Sequence, residues 1–93
     1  DEGSFIADSA NMKGTVAGSV ISSECTVGEG SHLHDVLLMS NCVIGEKCHL
    51  EETVLGRNVS IGKGSILKNV VVGDSMELGE NSYFENCRIP SND

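Results

Sequence analysis

Apolar residues recur along this chain in steps of six, six and five: Ile21, Val27, Leu33, Leu38, Ile44, Leu50, Leu55, Ile61, Leu67, Val72, Leu78, Phe84 and Ile89. The cycle closes four times without a break. A helix would need apolar spacings of three, four and seven. A strand buries alternate side chains, and two residues ahead of each apolar position lies a second series of mostly small residues. These are Ser19, Cys25, Ser31, Val36, Cys42, Cys48, Thr53, Val59, Ser65, Val70, Met76, Ser82 and Cys87. Each cycle of three steps thus holds three short strands with a small and a large inward residue apiece, and describes one turn of a triangular prism. No single turn can bury its apolar edge alone, so stability comes from stacking on neighbours. The expectation is an all-β parallel solenoid of about five 17-residue triangular coils.

The spacing also divides the chain. Residues 19–89 obey it throughout and read as regular coils. Residues 1–18 read as an irregular first coil, because Ile6 and Met12 keep the step of six but Val16 follows after only four. Residues 90–93 read as a tail. Gly28, Gly45, Gly62 and Gly79, with Gly56 and Gly73, each follow a large inward residue, and we assign them to corners that demand positive φ. The chain opens with Asp1 rather than Met, so we expect it to be processed or, as the preferred reading, excised from something longer.

Charge removes several function classes. Six Lys and Arg against fourteen Asp and Glu give a net charge of −8, which repels phosphate backbones and anionic lipid. Three aromatic residues, Phe5, Tyr83 and Phe84, are too few for a base-stacking platform. No apolar run exceeds about four residues, against the roughly 20 of a membrane span. Neither nucleic acid nor membrane is expected as a partner, and the expected location is the cytoplasm.

Several residues invite chemistry. His32 and His49 lie 17 apart, hence on adjacent coils, with His34 nearby. Residues flanking a core position on a strand point outward, and a zinc site needs several imidazoles converging on one metal, so no metal is expected. Cys25, Cys42, Cys48 and Cys87 all fall in the small inward series. They read as buried free thiols, the alternative being a Cys25–Cys42 bridge that in-register stacking suits poorly. Glu51, Lys68 and Glu85 alternate in sign on neighbouring coils and read as exposed cross-coil pairs. The steps leave no room for an inserted loop, which counts against an acyltransferase. No catalytic residue and no cofactor are assigned.

The outward positions separate the three faces. One column reads Thr26, Val43, Ser60, Glu77; another reads His32, His49, Ile66, Tyr83; the third reads Val20, Leu37, Val54, Val71 and then Arg88. Only the third is apolar through four coils, with Met39 extending it. A stripe of that length on an acidic prism is more than scattered exposed apolar residues. Val20, Leu37, Met39, Val54 and Val71 are therefore the candidate interface.

A branched apolar residue followed by Gly and four variable residues resembles the hexapeptide repeat of left-handed β-helices. That resemblance implies left-handed coils, against the usual crossover rule. Acyltransferases, gamma-class carbonic anhydrases and the C-terminal domains of nucleotide-sugar pyrophosphorylases share the repeat. SFIADSANMKGTVAGSVIS, Ser4 to Ser22, resembles the start of the C-terminal domain of bacterial glucose-1-phosphate adenylyltransferase, within which KGTVAGSVI, Lys13 to Ile21, is similar to its GTVxNSVL segment. LLMSNCVIGEKCHLEETVLGRNVSI, Leu37 to Ile61, resembles the segment that follows.

The gamma subunit of the exchange factor for eukaryotic translation initiation factor 2 is also similar. Its likeness runs without gaps from Ser19 to Ile89, including LLM at Leu37 to Met39, with a two-residue gap further upstream. The coil from Asn69 to Ile89 extends beyond where many bacterial adenylyltransferases end. The resemblance implies a non-catalytic packing and assembly domain. Its partners would be an N-terminal nucleotidyltransferase domain and further subunits in a homo- or hetero-oligomer. The implied parent joins a nucleoside triphosphate to a sugar 1-phosphate, with ADP-glucose the first choice. An assembly domain of the exchange-factor gamma subunit and a hexapeptide acyltransferase are the alternatives.

Overall fold

The computed structural model describes residues 3–90, so most of the tail expected at 90–93 lies outside the described residues. Among the described residues, alternating burial along the repeat produces fourteen short strands and no helix. The first coil carries β1 (Phe5–Ile6), β2 (Asn11–Met12) and β3 (Thr15–Ala17), and the second β4 (Val20–Ile21), β5 (Thr26–Val27) and β6 (His32–His34). The third holds β7 (Leu37–Leu38), β8 (Val43–Ile44) and β9 (His49–Glu51). Above these come β10 (Val54–Leu55), β11 (Ser60–Ile61), β12 (Ile66–Val72), β13 (Glu77–Leu78) and β14 (Tyr83–Ile89). β12 and β14 each run round a corner and serve two faces.

Every pairing is parallel and joins equivalent positions of successive coils. Val20, Leu37, Val54 and Val71 are in register on one face, Thr26, Val43, Ser60 and Glu77 on the second, and His32, His49, Ile66 and Tyr83 on the third. The fold is a left-handed parallel β-helix of about five coils, measuring 37 × 21 × 20 Å. No helix among the described residues is long and apolar enough to cross a membrane.

The first coil keeps this register on a shorter length of chain. Phe5 pairs with Val20 and Met12 with Val27, and both offsets are two less than that from Val16 to its partner Leu33. The shortening therefore lies in the corner between Met12 and Val16.

The large inward residues from Ile21 to Leu78 are buried without exception and form one continuous core. The small inward positions do more than fill space. Ser19, Ser31, Thr53 and Ser65 are buried hydroxyls, and each is satisfied by backbone. Ser31 Oγ donates to the Gly45 carbonyl at 2.7 Å and accepts from the Cys48 amide at 3.0 Å, one coil up. Ser19 Oγ likewise accepts from the Val36 amide at 2.9 Å. Among the described residues no buried side-chain nitrogen or oxygen lacks a partner, so these polar groups escape the desolvation cost of an unpaired buried atom.

Positive φ occurs at the corners, one residue before each small inward position and not at the assigned glycines. Asp35, Asn41, Lys47, Glu52, Asn58, Asn69, Ser75, Asn81 and Asn86 all adopt it, with Glu24, Gly18, Gly30 and Gly64. Those positions follow the same six, six, five steps, and Asn tolerates the conformation better than most residues. Gly28, Gly45, Gly56 and Gly62 answer a different demand. A Cβ on Gly62 would lie 2.5 Å from the Glu80 nitrogen and 2.6 Å from the Gly79 carbonyl carbon, and one on Gly45 would lie 2.7 Å from the Lys63 nitrogen. At these positions the backbone of the next coil passes too close for a side chain. At Gly79 nothing lies within 4 Å.

Gly62→Ala is therefore expected to cost about 1–3 kcal/mol through forced backbone displacement, and Gly79→Ala under about 0.5 kcal/mol. Urea denaturation of both variants checks this, and equal losses would contradict it.

Candidate functional site

The face formed by β1, β4, β7, β10, the second half of β12 and the end of β14 carries the candidate interface. Each strand turns one residue inward and one outward, so the outward residues stack into a ridge. Register extends that ridge by one residue at the first coil, giving Phe5, Val20, Leu37, Val54, Val71 and, at its upper end, Arg88. Phe5 is 63% exposed, Val20 42% and Val71 47%, while Leu37 and Val54 are half-buried. Counting back one full coil of the repeat from Val20 lands on Gly3, and the shortened corner hid the true match. The step of six between Ile6 and Met12 was the usable signal, since it sets Ile6 inward and Phe5 outward.

Met39 sits at the corner beside the ridge and is 40% exposed. It walls a shallow groove of about 480 Å³ with Ser22, Ser40, Arg57 and Asp74. Arg57 and Asp74 lie on adjacent coils, their side chains 3.6 Å apart and both well exposed. Asp74 Oδ1 also accepts from the Arg57 amide at 2.8 Å. Arg57 and Arg88 are the chain's only arginines, and both border the ridge.

The other faces differ in kind. Val43, 47% exposed, stands among Thr26, Ser60 and Glu77. On the third face His32 and His49 stack outward with ring centroids 6.4 Å apart. His49 Nε2 donates to Glu51 Oε2 at 2.8 Å, and His32 Nδ1 lies 2.6 Å from Thr15 Oγ1. His34 meets Asp35 at 3.3 Å. Among the described residues no three metal-ligating side chains converge.

The expected cross-coil ion pairs are replaced by contacts within a strand. Glu51 bonds to His49 and Glu85 accepts from the Tyr83 hydroxyl at 3.2 Å, each two residues back on the same face of its own strand. The His49 hydrogen bond is the chief cause holding the Glu51 carboxyl below its usual value.

Cys25, Cys42 and Cys48 are free and buried, each donating its thiol to a carbonyl one coil away: Met39, Gly56 and Gly62, at 3.0, 3.0 and 3.2 Å. Cys87 is free but exposed. It keeps the inward register opposite Val70, yet none of the described residues forms a coil above it. Burial pushes the Cys42 thiol up to about 11. The neutral thiol is thus favoured in the fold, so this contribution to stability is complete below the ordinary thiol range and lost as pH rises from about 9 to 11. A thiol-reactive disulfide reagent at pH 8 is expected to modify one cysteine per folded chain and four in denaturant. Two or more fast-reacting thiols in the folded state would contradict the burial.

Among the described residues this ridge is the outward column that stays apolar from the first coil to the fifth. It is suited to packing against another protein surface.

No curated protein matches the chain in sequence. Solved structures that share its fold include two acetyltransferases. The acetyltransferase domain of PglB from Neisseria gonorrhoeae, solved with acetyl coenzyme A, is 18% identical with a TM-score of 0.50, over 89% of this chain and 48% of that one. A variant of perosamine N-acetyltransferase from Caulobacter crescentus, solved with CoA and GDP-perosamine, is 14% identical with a TM-score of 0.57, over 92% and 48%. The chain spans about half the length of each, and at these identities the likeness is one of fold. A family model matches residues 1–93 from end to end, and the chain belongs to that family, the GMPPB C-terminal domain.

Proposed function

We propose that this domain is the non-catalytic packing and assembly module of a nucleotide-sugar pyrophosphorylase-like protein. The observation that carries this reading is the outward ridge Phe5, Val20, Leu37, Val54 and Val71, unbroken over five coils of an acidic rod whose other faces expose Val43, Ile66 and Tyr83 among polar residues. Family membership supports a C-terminal place behind a nucleotidyltransferase domain. The ridge would then meet that domain or a neighbouring subunit, in a cytoplasmic homo- or hetero-oligomer, while nucleotidyl transfer belongs to the N-terminal domain. The likeness at Ser4–Ser22 and Leu37–Ile61 favours ADP-glucose as the parent's product.

One observation favours the exchange-factor gamma subunit as a second reading. Its likeness needs a two-residue gap upstream of Ser19, and the corner between Met12 and Val16 is two residues shorter than its counterparts. A length difference there changes only a corner.

Pyrophosphate release by the parent protein, assayed with a panel of nucleoside triphosphates and sugar 1-phosphates, separates the readings. The first predicts release, largest with ATP and glucose 1-phosphate. Release with another pair would keep the module reading and replace the sugar nucleotide. No release with any pair would favour the exchange factor.

A further inference from the structure

We infer that the upper end of the rod is a docking edge for an extended, basic strand of another polypeptide, which adds to β14 in parallel register. This surface is the end of the stack, not one of its faces. In the lower coils the outward residue's amide donates to a carbonyl one coil up: Val43 to Val59 and His49 to Ser65 at 2.9 Å, and Ile66 to Ser82 at 2.8 Å. β14 pairs with β12, and among the described residues no strand lies above it. The amides of Tyr83 and Arg88 therefore have no such acceptor among the described residues. The side chains below the edge are uncovered too. Leu67, Val70 and Val72 are buried, whereas their partners in the coil above, Phe84, Cys87 and Ile89, are not.

Gly79 is an independent sign that backbone passes over this end. At Gly28, Gly45 and Gly62 the next coil's backbone would lie within 2.8 Å of an added Cβ. Gly79 holds the same place, one residue after Leu78, yet nothing lies within 4 Å and its φ is not positive. Neither conformation nor crowding within the described coils calls for glycine there, whereas a strand laid across it would. Ser82 is prepared in the same way. Its Oγ donates to the Gly79 carbonyl at 2.7 Å, which leaves a lone pair for an amide from above. Ser65 Oγ plays that part toward the Ser82 amide at 3.2 Å.

A parallel strand added to a free sheet edge is held by backbone hydrogen bonds and selected by its alternate side chains. Pro90 has no amide and closes the edge beyond Ile89, so the open stretch is residues 79–89. Glu77, Glu80 and Glu85 are exposed along it, with Arg88 near its far end. In the coil beneath, Lys63 and Lys68 hold the places of Glu80 and Glu85. A strand with Lys or Arg at those two places would face both carboxylates, and its inward apolar residues would cover Phe84, Cys87 and Ile89. A second copy stacked end-on fits less well. Its first coil turns one corner on two fewer residues and brings Ala17 to the column of Glu85.

An end-blocked synthetic peptide with the sequence of residues 62–72, GKGSILKNVVV, is the probe, titrated calorimetrically into the chain. It should bind, and at saturation it should slow modification of Cys87 at pH 8 about tenfold or more, because thiol reactivity follows exposure. Gly79→Ala should weaken binding about tenfold or more through the clash of its Cβ, with urea stability unchanged. A peptide carrying Lys63→Glu and Lys68→Glu should bind about tenfold more weakly, since both carboxylates would then face like charge.

No binding up to about 1 mM would overturn the inference, as would binding that leaves Cys87 reactive or is unaffected by Gly79→Ala. A urea loss in Gly79→Ala as large as that in Gly62→Ala would show that Gly79 serves the chain itself. Protection of Cys87 that grows with protein concentration without peptide would make the occupant a second copy and overturn the assignment to a basic strand.

Discussion

Truncating Leu50 or Ile61 to Ala is expected to cost about 2–5 kcal/mol each, the range for removing a large aliphatic side chain from a core that cannot collapse onto the gap. Both lie mid-stack, with Leu33 and Leu67 flanking Leu50 and Ile44 and Leu78 flanking Ile61. They are 0% and 2% exposed. Each coil is held by hydrogen bonds to the coils above and below, so the backbone cannot move in to fill a cavity. Ile66 supplies the control, because it neighbours Leu67 on the same strand but points outward. Ile66→Ala should lose under about 1 kcal/mol, as exposed substitutions usually do. Urea denaturation of the three variants decides the register. Losses at Leu50 and Ile61 no larger than those of surface substitutions, under about 0.5 kcal/mol, would show it to be wrong, as would a larger loss at Ile66.

The architecture was legible because a solenoid writes its geometry directly into spacing. A residue's face and depth depend on its position modulo 17, so Leu33, Leu50 and Leu67 identify one another without long-range inference. What spacing does not carry is how closely successive layers approach. Gly62 and its equivalents looked like conformational glycines, and they are close-approach glycines instead. The corner residues with positive φ, among them Asn41, Asn58, Asn81 and Asn86, stood one place before the small inward positions of the same pattern.

End effects were hidden for a related reason. A repeat describes a residue's neighbours in an endless stack, so Cys87 read as buried although no described coil covers it. The charge columns misled because register brings side chains into line without saying which partner is nearer. His49 lies on the same strand as Glu51 and takes its carboxylate before Lys68 does. At the candidate site, four coils of the ridge were readable, and Phe5 was lost to the shortened corner of the first coil.

The second large effect concerns the ridge, where the functional account is decided. Leu37 and Val54 are its two central residues and neither faces the core. Burying such a side chain at an interface is worth roughly 1.5–3 kcal/mol, and an unpaired carboxylate in its place would have to be desolvated against apolar surface. Leu37→Asp with Val54→Asp should therefore abolish association while leaving the coils intact. Circular dichroism melting must accompany the measurement, because unfolding of the double variant would mean that these residues belong to the core.

Sedimentation velocity on the wild-type chain and the Leu37→Asp/Val54→Asp variant, each alone and mixed with the parent's N-terminal domain, tests the account most directly. The account predicts a wild type that self-associates or binds that domain, and a folded double variant that does neither. A wild type that stays monomeric and ignores the domain, or a folded double variant that associates as the wild type does, would contradict it.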